Sequence, residues 1–258
     1  MARILITGSS DGLGQMAARL LVEAGHSVVL HARNEARAAH AIKHVPGAEA
    51  VLCADLSSIV QTRALAERIN AIGGFDAIIH NAAVGYQEPE RIATVDGLPH
   101  VFAVNTLAPY ILTALVKRPN RLIYVSSKLH LNGDPALNDL TWDTRRWDGQ
   151  QAYSDSKLHN VLLAFAIARR WPDVQSNALE PGWVPTKMGG PGATDELDLA
   201  PRTQVWLAEG VASETQVTGS YFFHQRPAKA SKLASDVTLQ EQFLSACAHL
   251  SGVDMPRG

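Results

Sequence analysis

Cysteine is scarce in this chain: Cys53 and Cys247 are the only two among 258 residues. Folds that depend on disulfides carry dense cysteine spacings, so that class is excluded and the pair reads as two buried thiols in a reducing, cytoplasmic compartment. An excess of charge of one sign is also missing. The 23 basic and 25 acidic side chains leave a formal charge of −2, which provides no field for gathering nucleic acid or anionic lipid. Long hydrophobic runs are absent too. The apolar stretch from Val161 to Ala168 is far below the roughly 20 residues of a membrane span, and Met1-Ala2-Arg3 runs straight into Ile4-Leu5-Ile6 with no room for a secretory signal. A cytoplasmic protein without a membrane span is expected. His40 and His44 stand four apart, but no third ligand has a spacing that completes a metal site. Repeats, low-complexity tracts and shifts of composition are absent, so a single domain over 1–258 is expected.

What is present is an ordinary globular composition, 46% hydrophobic and 19% charged, in a chain able to bury roughly 70–75% of its unfolded surface. Short apolar runs recur at Ile4–Ile6, Val28–Leu30, Val51–Cys53, Ala77–Ile79, Leu122–Val125, Ser176–Leu179 and Tyr221–Phe223. Helical patterns fill the spaces at 13–24, 34–44, 58–72, 95–117, 152–171, 200–210 and 236–249. This alternation predicts an α/β fold with a doubly wound parallel sheet of about seven strands and helices on both faces. Segments 132–150 and 185–200, rich in Gly, Pro and Asp, read as loops after strands. In such a sheet the ligand crevice lies beyond the carboxyl ends of the strands, so these loops are expected to touch a substrate. Trp142, Trp147, Trp183 and Trp206 supply aromatic surface in or near them, suited to an apolar ligand or to packing. Residues 251–258 read as a loose tail.

Thr7-Gly8-Ser9-Ser10-Asp11-Gly12-Leu13-Gly14 follows the first strand and opens the first helix. Glycines there let the backbone turn tightly and approach a pyrophosphate, and the helix start offers unpaired N–H groups and partial positive charge. At the end of the second strand, His31-Ala32-Arg33-Asn34 lacks the acidic residue that accepts from the ribose hydroxyls of NAD, whereas an arginine pairs with a 2′-phosphate. NADP(H) is the expected cofactor, with Arg33 as its reader and Arg37 one turn on. NAD(H) stays open, because the Asp11 carboxylate adds no attraction for phosphate.

Tyr153-Ser154-Asp155-Ser156-Lys157 begins a strongly apolar helix. Residues four apart share a face, so phenol and ammonium point into one crevice, and a nearby cation favours phenolate. Tyr153 thereby becomes a candidate acid/base. The strand Leu122–Val125 runs into Ser126 and Ser127. Strand alternation directs the two hydroxyls oppositely; Ser127 is the first choice as substrate-positioning donor and Ser126 the alternative. Asn105 lies mid-helix, where asparagine has poor propensity, which suggests a specific hydrogen-bonding role.

In this order, Thr-Gly-x-x-x-Gly-x-Gly, Asn81-Ala82, Asn105, Ser127, Tyr153-x-x-x-Lys157 and Pro181-Gly182 resemble the short-chain dehydrogenase/reductase family, over residues 3 to about 187. The glycine spacing matches its single-domain branch. Val125-Ser126-Ser127 and Tyr153–Leu162 are similar to its retinol-dehydrogenase-like subgroup. The resemblance implies a Rossmann-type sheet in which Gly8, Ser10, Gly12, Leu13 and Gly14 wrap the pyrophosphate. Arg33 and Asn34 follow at the ribose, and Asp55 and Leu56 at the adenine. Asn81, Ala82 and Ala83 line the cofactor, although Ala83 replaces the family's glycine. Pro181, Gly182, Val184 and Thr186 hold the nicotinamide carboxamide.

The resemblance further implies that Tyr153 exchanges a proton with the substrate oxygen and Ser127 hydrogen-bonds that oxygen. Lys157 lowers the tyrosine pKa and binds the nicotinamide ribose, while Asn105 anchors a relay water. The implied function is an NADP(H)-dependent oxidoreductase moving a hydride between nicotinamide and the carbonyl or carbinol carbon of a small or medium apolar substrate. The alternatives are an NAD-linked alcohol dehydrogenase and a non-catalytic dinucleotide sensor. Assembly as a homodimer or homotetramer through helices 95–117 and 152–171 is also implied. His130 and His159 receive no role.

Overall fold

The computed structural model describes residues 1–257. One sheet contains β1 (Arg3–Ile6), β2 (Ser27–Ala32), β3 (Ala50–Cys53), β4 (Ala77–His80), β5 (Arg121–Val125), β6 (Gln175–Glu180), β7 (Tyr221–Phe223) and β8 (Arg226–Pro227). Their order is β3-β2-β1-β4-β5-β6-β7-β8, parallel throughout except for the β7–β8 hairpin. The doubly wound sheet is therefore as the sequence predicts, with the two-residue β8 as an eighth strand. Successive strand side chains point to opposite faces, and the buried residues divide accordingly. Leu5, Val29, Ile78 and Leu122 face one core, whereas Ile4, Ile6, Val28, Leu30, Ile79 and Ile123 face the other. Coverage of both faces is the reason the strands read as unbroken apolar runs.

Helices α1 (Gly12–Glu23), α2 (Glu35–His44) and α3 (Ile59–Ala71) are capped by the side chains of Asp11, Asn34 and Ser58. The predicted helix 95–117 begins later. It consists of α4 (His100–Phe102), a π-turn (Ala103–Leu107) and α5 (Ala108–Leu115) in succession. Next come α6 (Gly149–Arg170), α7 (Arg202–Glu209) and α8 (Val237–Ser251). The strand order reverses between β1 and β4, and the crevice outside their carboxyl ends is where such a sheet binds its ligand.

Three expectations are corrected. Residues beyond Ser251 are not loose: Val253 and Met255 are buried, Tyr110 donates to the Val253 carbonyl at 2.9 Å, and Trp171 Nε1 donates to that of Pro256 at 3.2 Å. Gly258 lies outside the described residues. Second, α5 and α6 present no free apolar face for a subunit interface. Every residue from Val101 to Ala114 and from Ala152 to Ala164 is buried within the single chain. The core of α6 and α5 includes Phe243, Leu244 and Cys247 of α8 and the segment after it. Third, Cys53 is partly exposed at the end of β3, while Cys247 is buried as expected. Among the described residues, no helix is long and apolar enough to cross a membrane, and no cluster of ligands for a metal forms.

Candidate active site

The glycine loop is built against the end of β4. Asn81 and Ala82 donate their N–H groups to Thr7 Oγ1 at 3.0 and 3.1 Å, and Asn81 Nδ2 donates to the carbonyls of Thr7 and Gly8 at 3.0 and 3.1 Å. This closeness demands glycine. A Cβ on Gly8 would stand 2.7 Å from Ala82 Cα, and one on Gly14 2.4 Å from Asn81 Nδ2. Gly12 has φ 55° and open space around it, with half-buried Leu13 next in the first turn of α1. Asp11 accepts from the Gly12 N–H at 2.9 Å, and a backbone pressed into a tight loop that ends at the start of a helix, where the next N–H groups lack intrahelical partners, fits a pyrophosphate. Ala83 follows half-buried.

Sequence reasoning overlooked His31. Its Nδ1 accepts from the Gly8 N–H at 3.0 Å, so Nε2 carries the proton and donates to the Ala54 carbonyl at 3.0 Å. The only signal was a polar residue in an otherwise apolar strand. Burial pushes this imidazole down to about 4, and it stays neutral as a strut between β1, β2 and the end of β3.

Asp11 is not left to repel phosphate. Lys187 bonds to its carboxylate, Arg37 pairs with it at 3.2 Å, and these contacts, Lys187 foremost, bring its pKa down to about 2. Arg37 Nε also donates to Ser10 Oγ at 3.3 Å. The arginine anchored at the loop is thus Arg37, while Arg33 is exposed and makes no side-chain hydrogen bond among the described residues. Asn34 Oδ1 accepts from Arg37 N–H at 3.0 Å as the α2 cap. Asp55 accepts from the Ser57 N–H at 2.9 Å in a turn. The Leu56 side chain belongs to the core, so only its backbone remains for an adenine.

Ser126 and Ser127 separate as strand alternation demands. Ser126 Oγ donates to the Lys157 carbonyl at 2.8 Å, whereas Ser127 caps the following 3-10 turn, accepting from Leu129 N–H at 3.2 Å. Lys157 Nζ lies 5.3 Å from the Tyr153 ring centroid and donates to the Val125 carbonyl at 2.9 Å. Asn105, within the π-turn, accepts from the Val84 N–H at 2.8 Å and donates to the Val84 carbonyl at 3.0 Å and Ser156 Oγ at 3.1 Å. Both amide hydrogens are engaged, so a relay water would have to donate to the second lone pair of Oδ1 or to a main-chain carbonyl.

Beyond β6, Pro181 and Gly182 are half-buried, Val184 is buried and Thr186 accepts from Gly189 N–H at 3.1 Å. This segment closes on the phenol: Met188 Sδ lies 3.9 Å from the Tyr153 hydroxyl. Opposite, Tyr86 meets the Tyr153 ring edge-on at 5.6 Å. Trp183 is half exposed, but Trp142 and Trp147 pack together with Val101 and Ala152, and Trp206 packs on Phe222 inside a core.

A family model described as short chain dehydrogenase matches residues 2–136. The chain belongs to the short-chain dehydrogenase family. Among its relatives is the uncharacterized oxidoreductase AN7799 of Emericella nidulans, 48% identical with all of both chains covered. Human retinol dehydrogenase 13 is 28% identical across 98% of this chain and 85% of its own, in line with the subgroup resemblance. A crystal structure of an uncharacterized protein from Mycobacterium Paratuberculosis superposes with TM-score 0.85 at 26% identity, covering 99% of this chain and 95% of that one. This short-chain dehydrogenase is an oxidoreductase acting at CH–OH and C=O groups.

Electrostatics at the phenol of this short-chain dehydrogenase differ from the sequence expectation. Burial raises Tyr153 above its ordinary value, opposed by the Ser127 hydroxyl, and burial brings Lys157 down to about 7. Desolvation is the foremost cause at both groups, each charge being disfavoured in the same dry crevice.

Proposed function

We propose that the protein is an NADP(H)-dependent reductase or dehydrogenase of small or medium apolar carbonyl compounds, with Asn105, Ser127, Tyr153 and Lys157 as its working residues. The observation that carries this reading is that buried Lys157 lies 5.3 Å from the Tyr153 ring and bonds to the Val125 carbonyl at the end of β5, two residues before Ser127. The nicotinamide cofactor supplies or takes up the hydride. Tyr153 gives its proton to the oxygen of a carbonyl undergoing reduction, or takes it from an alcohol, and Ser127 donates a hydrogen bond to that oxygen. Lys157, half protonated near pH 7, stabilises the phenolate that remains. Asn105 holds the Val84 backbone and Ser156 in place beside them. Tyr86 and Met188 around the phenol favour an apolar substrate.

Preference for NADP(H) rests on Ala32 where an acid would read NAD, on Arg37 beside the glycine loop, and on the exposed Arg33 that follows β2. Gly8, Ser10, Gly12, Leu13, Gly14, Asn34, Asp55, Leu56, Asn81, Ala82, Ala83, Pro181, Gly182, Val184 and Thr186 complete the proposed cofactor contacts.

The test is NADPH oxidation against aldehydes, ketones and quinones, beside NADH and beside Tyr153→Phe. Turnover lost by at least about a hundredfold in the variant, with NADPH binding kept, is the expected result. Turnover indifferent to Tyr153 would overturn the mechanism. A tenfold or greater preference for NADPH that collapses in the Arg33→Ala/Arg37→Ala double variant is the expected cofactor result; NADH preference in the wild type would overturn it.

A further inference from the structure

His130 sits in the 3-10 turn Lys128–Asn132 that follows Ser127. Two of its donors converge on a single acceptor: backbone N–H and ring Nδ1 reach the Ser127 carbonyl at 3.0 and 2.7 Å. On the other side of the ring, Nε2 receives the Ser231 N–H at 3.0 Å. A backbone N–H only donates, so Nε2 is the acceptor and the imidazole is neutral with its proton on Nδ1. The ring lies against Tyr221 at 4.6 Å between centroids and is 1% exposed.

Ser231 opens the turn Lys232–Ser235 that leads into α8. The buried Gln240 of α8 donates to the Ala234 carbonyl at 2.7 Å and accepts from Arg169 of α6 at 3.0 Å. A continuous line of hydrogen bonds therefore runs from α6 through α8 and Ser231 to His130 and the Ser127 carbonyl.

We propose that His130 is a positioning residue: it transmits the seating of the segment from Ser231 through α8 to Ser127, so that the serine hydroxyl faces the substrate oxygen only when that segment is docked. This rests on the role given to Ser127 above. The carbonyl held by two donors fixes the peptide plane after Ser127, and with it the direction of the Cα–Cβ bond that carries the hydroxyl, while the Leu129 N–H at 3.2 Å holds its rotamer.

A single hydrogen tests the link. Ser231 has φ −56°, within the range proline adopts, so Ser231→Pro removes the N–H with the backbone already suited to the ring. Ser231→Ala keeps the N–H and removes only the hydroxyl that caps Leu233, as control for the cap. His130→Asn keeps a donor where Nδ1 lies and loses the Nε2 acceptor. With NADPH and 4-nitrobenzaldehyde as probe, Ser231→Pro and His130→Asn each lower kcat by about tenfold, with NADPH affinity within about twofold. Ser231→Ala stays near wild type, and the double variant is no worse than either single one, because both cut the same link.

A Ser231→Pro variant with wild-type kcat, or losses that multiply, would overturn the proposal. If the wild type shows no Tyr153-dependent turnover, the reading of Ser127 is what fails, and the link is judged by amide spectra. The Lys128 amide, joined to the Ser127 carbonyl, then moves in Ser231→Pro and not in Ser231→Ala; an unmoved Lys128 amide overturns the link.

Discussion

At Lys157 an ammonium is carried into a fully buried site where the Val125 carbonyl at 2.9 Å is its partner and no ion pair forms among the described residues. Burying a cation on such terms costs stability while it remains charged. The folded pKa is about 7 against an ordinary 10.5, so between those values the unfolded chain binds more protons than the folded one. Stability therefore rises with pH across that window, is fully present above 10.5, and is lost as pH falls through 7. Lys157→Met removes both the charge and the slope. At pH 6 the variant should melt higher than wild type by roughly 2–4 °C per kcal/mol regained, while turnover falls by at least about a hundredfold. Thermal melts between pH 6 and 9 check this. A variant that melts lower at pH 6 would mean that the ammonium is better solvated than its burial indicates.

At the scale of elements, the loop 134–148 is fastened to α6 by one acidic side chain. Asp155 Oδ2 pairs with Arg145 at 2.9 Å, and Oδ1 accepts from the Asp134 N–H at 2.8 Å and Gln151 Nε2 at 2.7 Å. Arg145 also lies over the Trp142 ring at 3.6 Å. Because the Asp155 side chain is only 6% exposed and Arg145 25%, losing the charge takes from the guanidinium its nearest carboxylate and leaves it Asp134 at 3.7 Å and Asp139 at 3.8 Å, at about 1–3 kcal/mol. Asp155→Asn is expected to open 134–148 to limited proteolysis and lower Tm by roughly 2–6 °C. Unchanged cleavage would show that Trp142 and Trp147 hold the loop without the ion pair.

Elements whose local chemistry agrees with their place were legible in the sequence. The strands and the glycine loop carry their reason in adjacent residues. The β7–β8 hairpin was not legible, because His224 and Gln225 occupy φ 47° and 59°, positions where turn chemistry favours glycine or asparagine. What supports them is distant in sequence, including Thr203 Oγ1, which accepts from Gln225 N–H at 3.0 Å. The π-turn hid for a similar reason. Its cause is the grip of Asn105 on Val84, a contact that helical periodicity does not express. Likewise Arg37 rather than Arg33 holds the glycine loop, since the distance from α2 back to Ser10 depends on how the helix packs.

For the whole molecule, the decisive feature is that α5 and α6 are satisfied within the chain. A specific subunit interface buries about 800 Å² on each partner, and these two helices have no apolar face left to supply it. Opening one would detach α8, whose Phe243 stacks on His159 at 5.1 Å and whose Glu241 pairs with Arg169 and Arg170 of α6. It would also release the Val253 and Pro256 carbonyls from Tyr110 and Trp171. The interface expected from the sequence, through helices 95–117 and 152–171, is thus taken up by packing within one chain. Light scattering during size exclusion at micromolar concentration should give the mass of a single chain, 27.8 kDa. Twice that mass would require contact through another face, and Trp171 fluorescence unchanged on dilution through the dimer dissociation would separate such a contact from one that unseats α8.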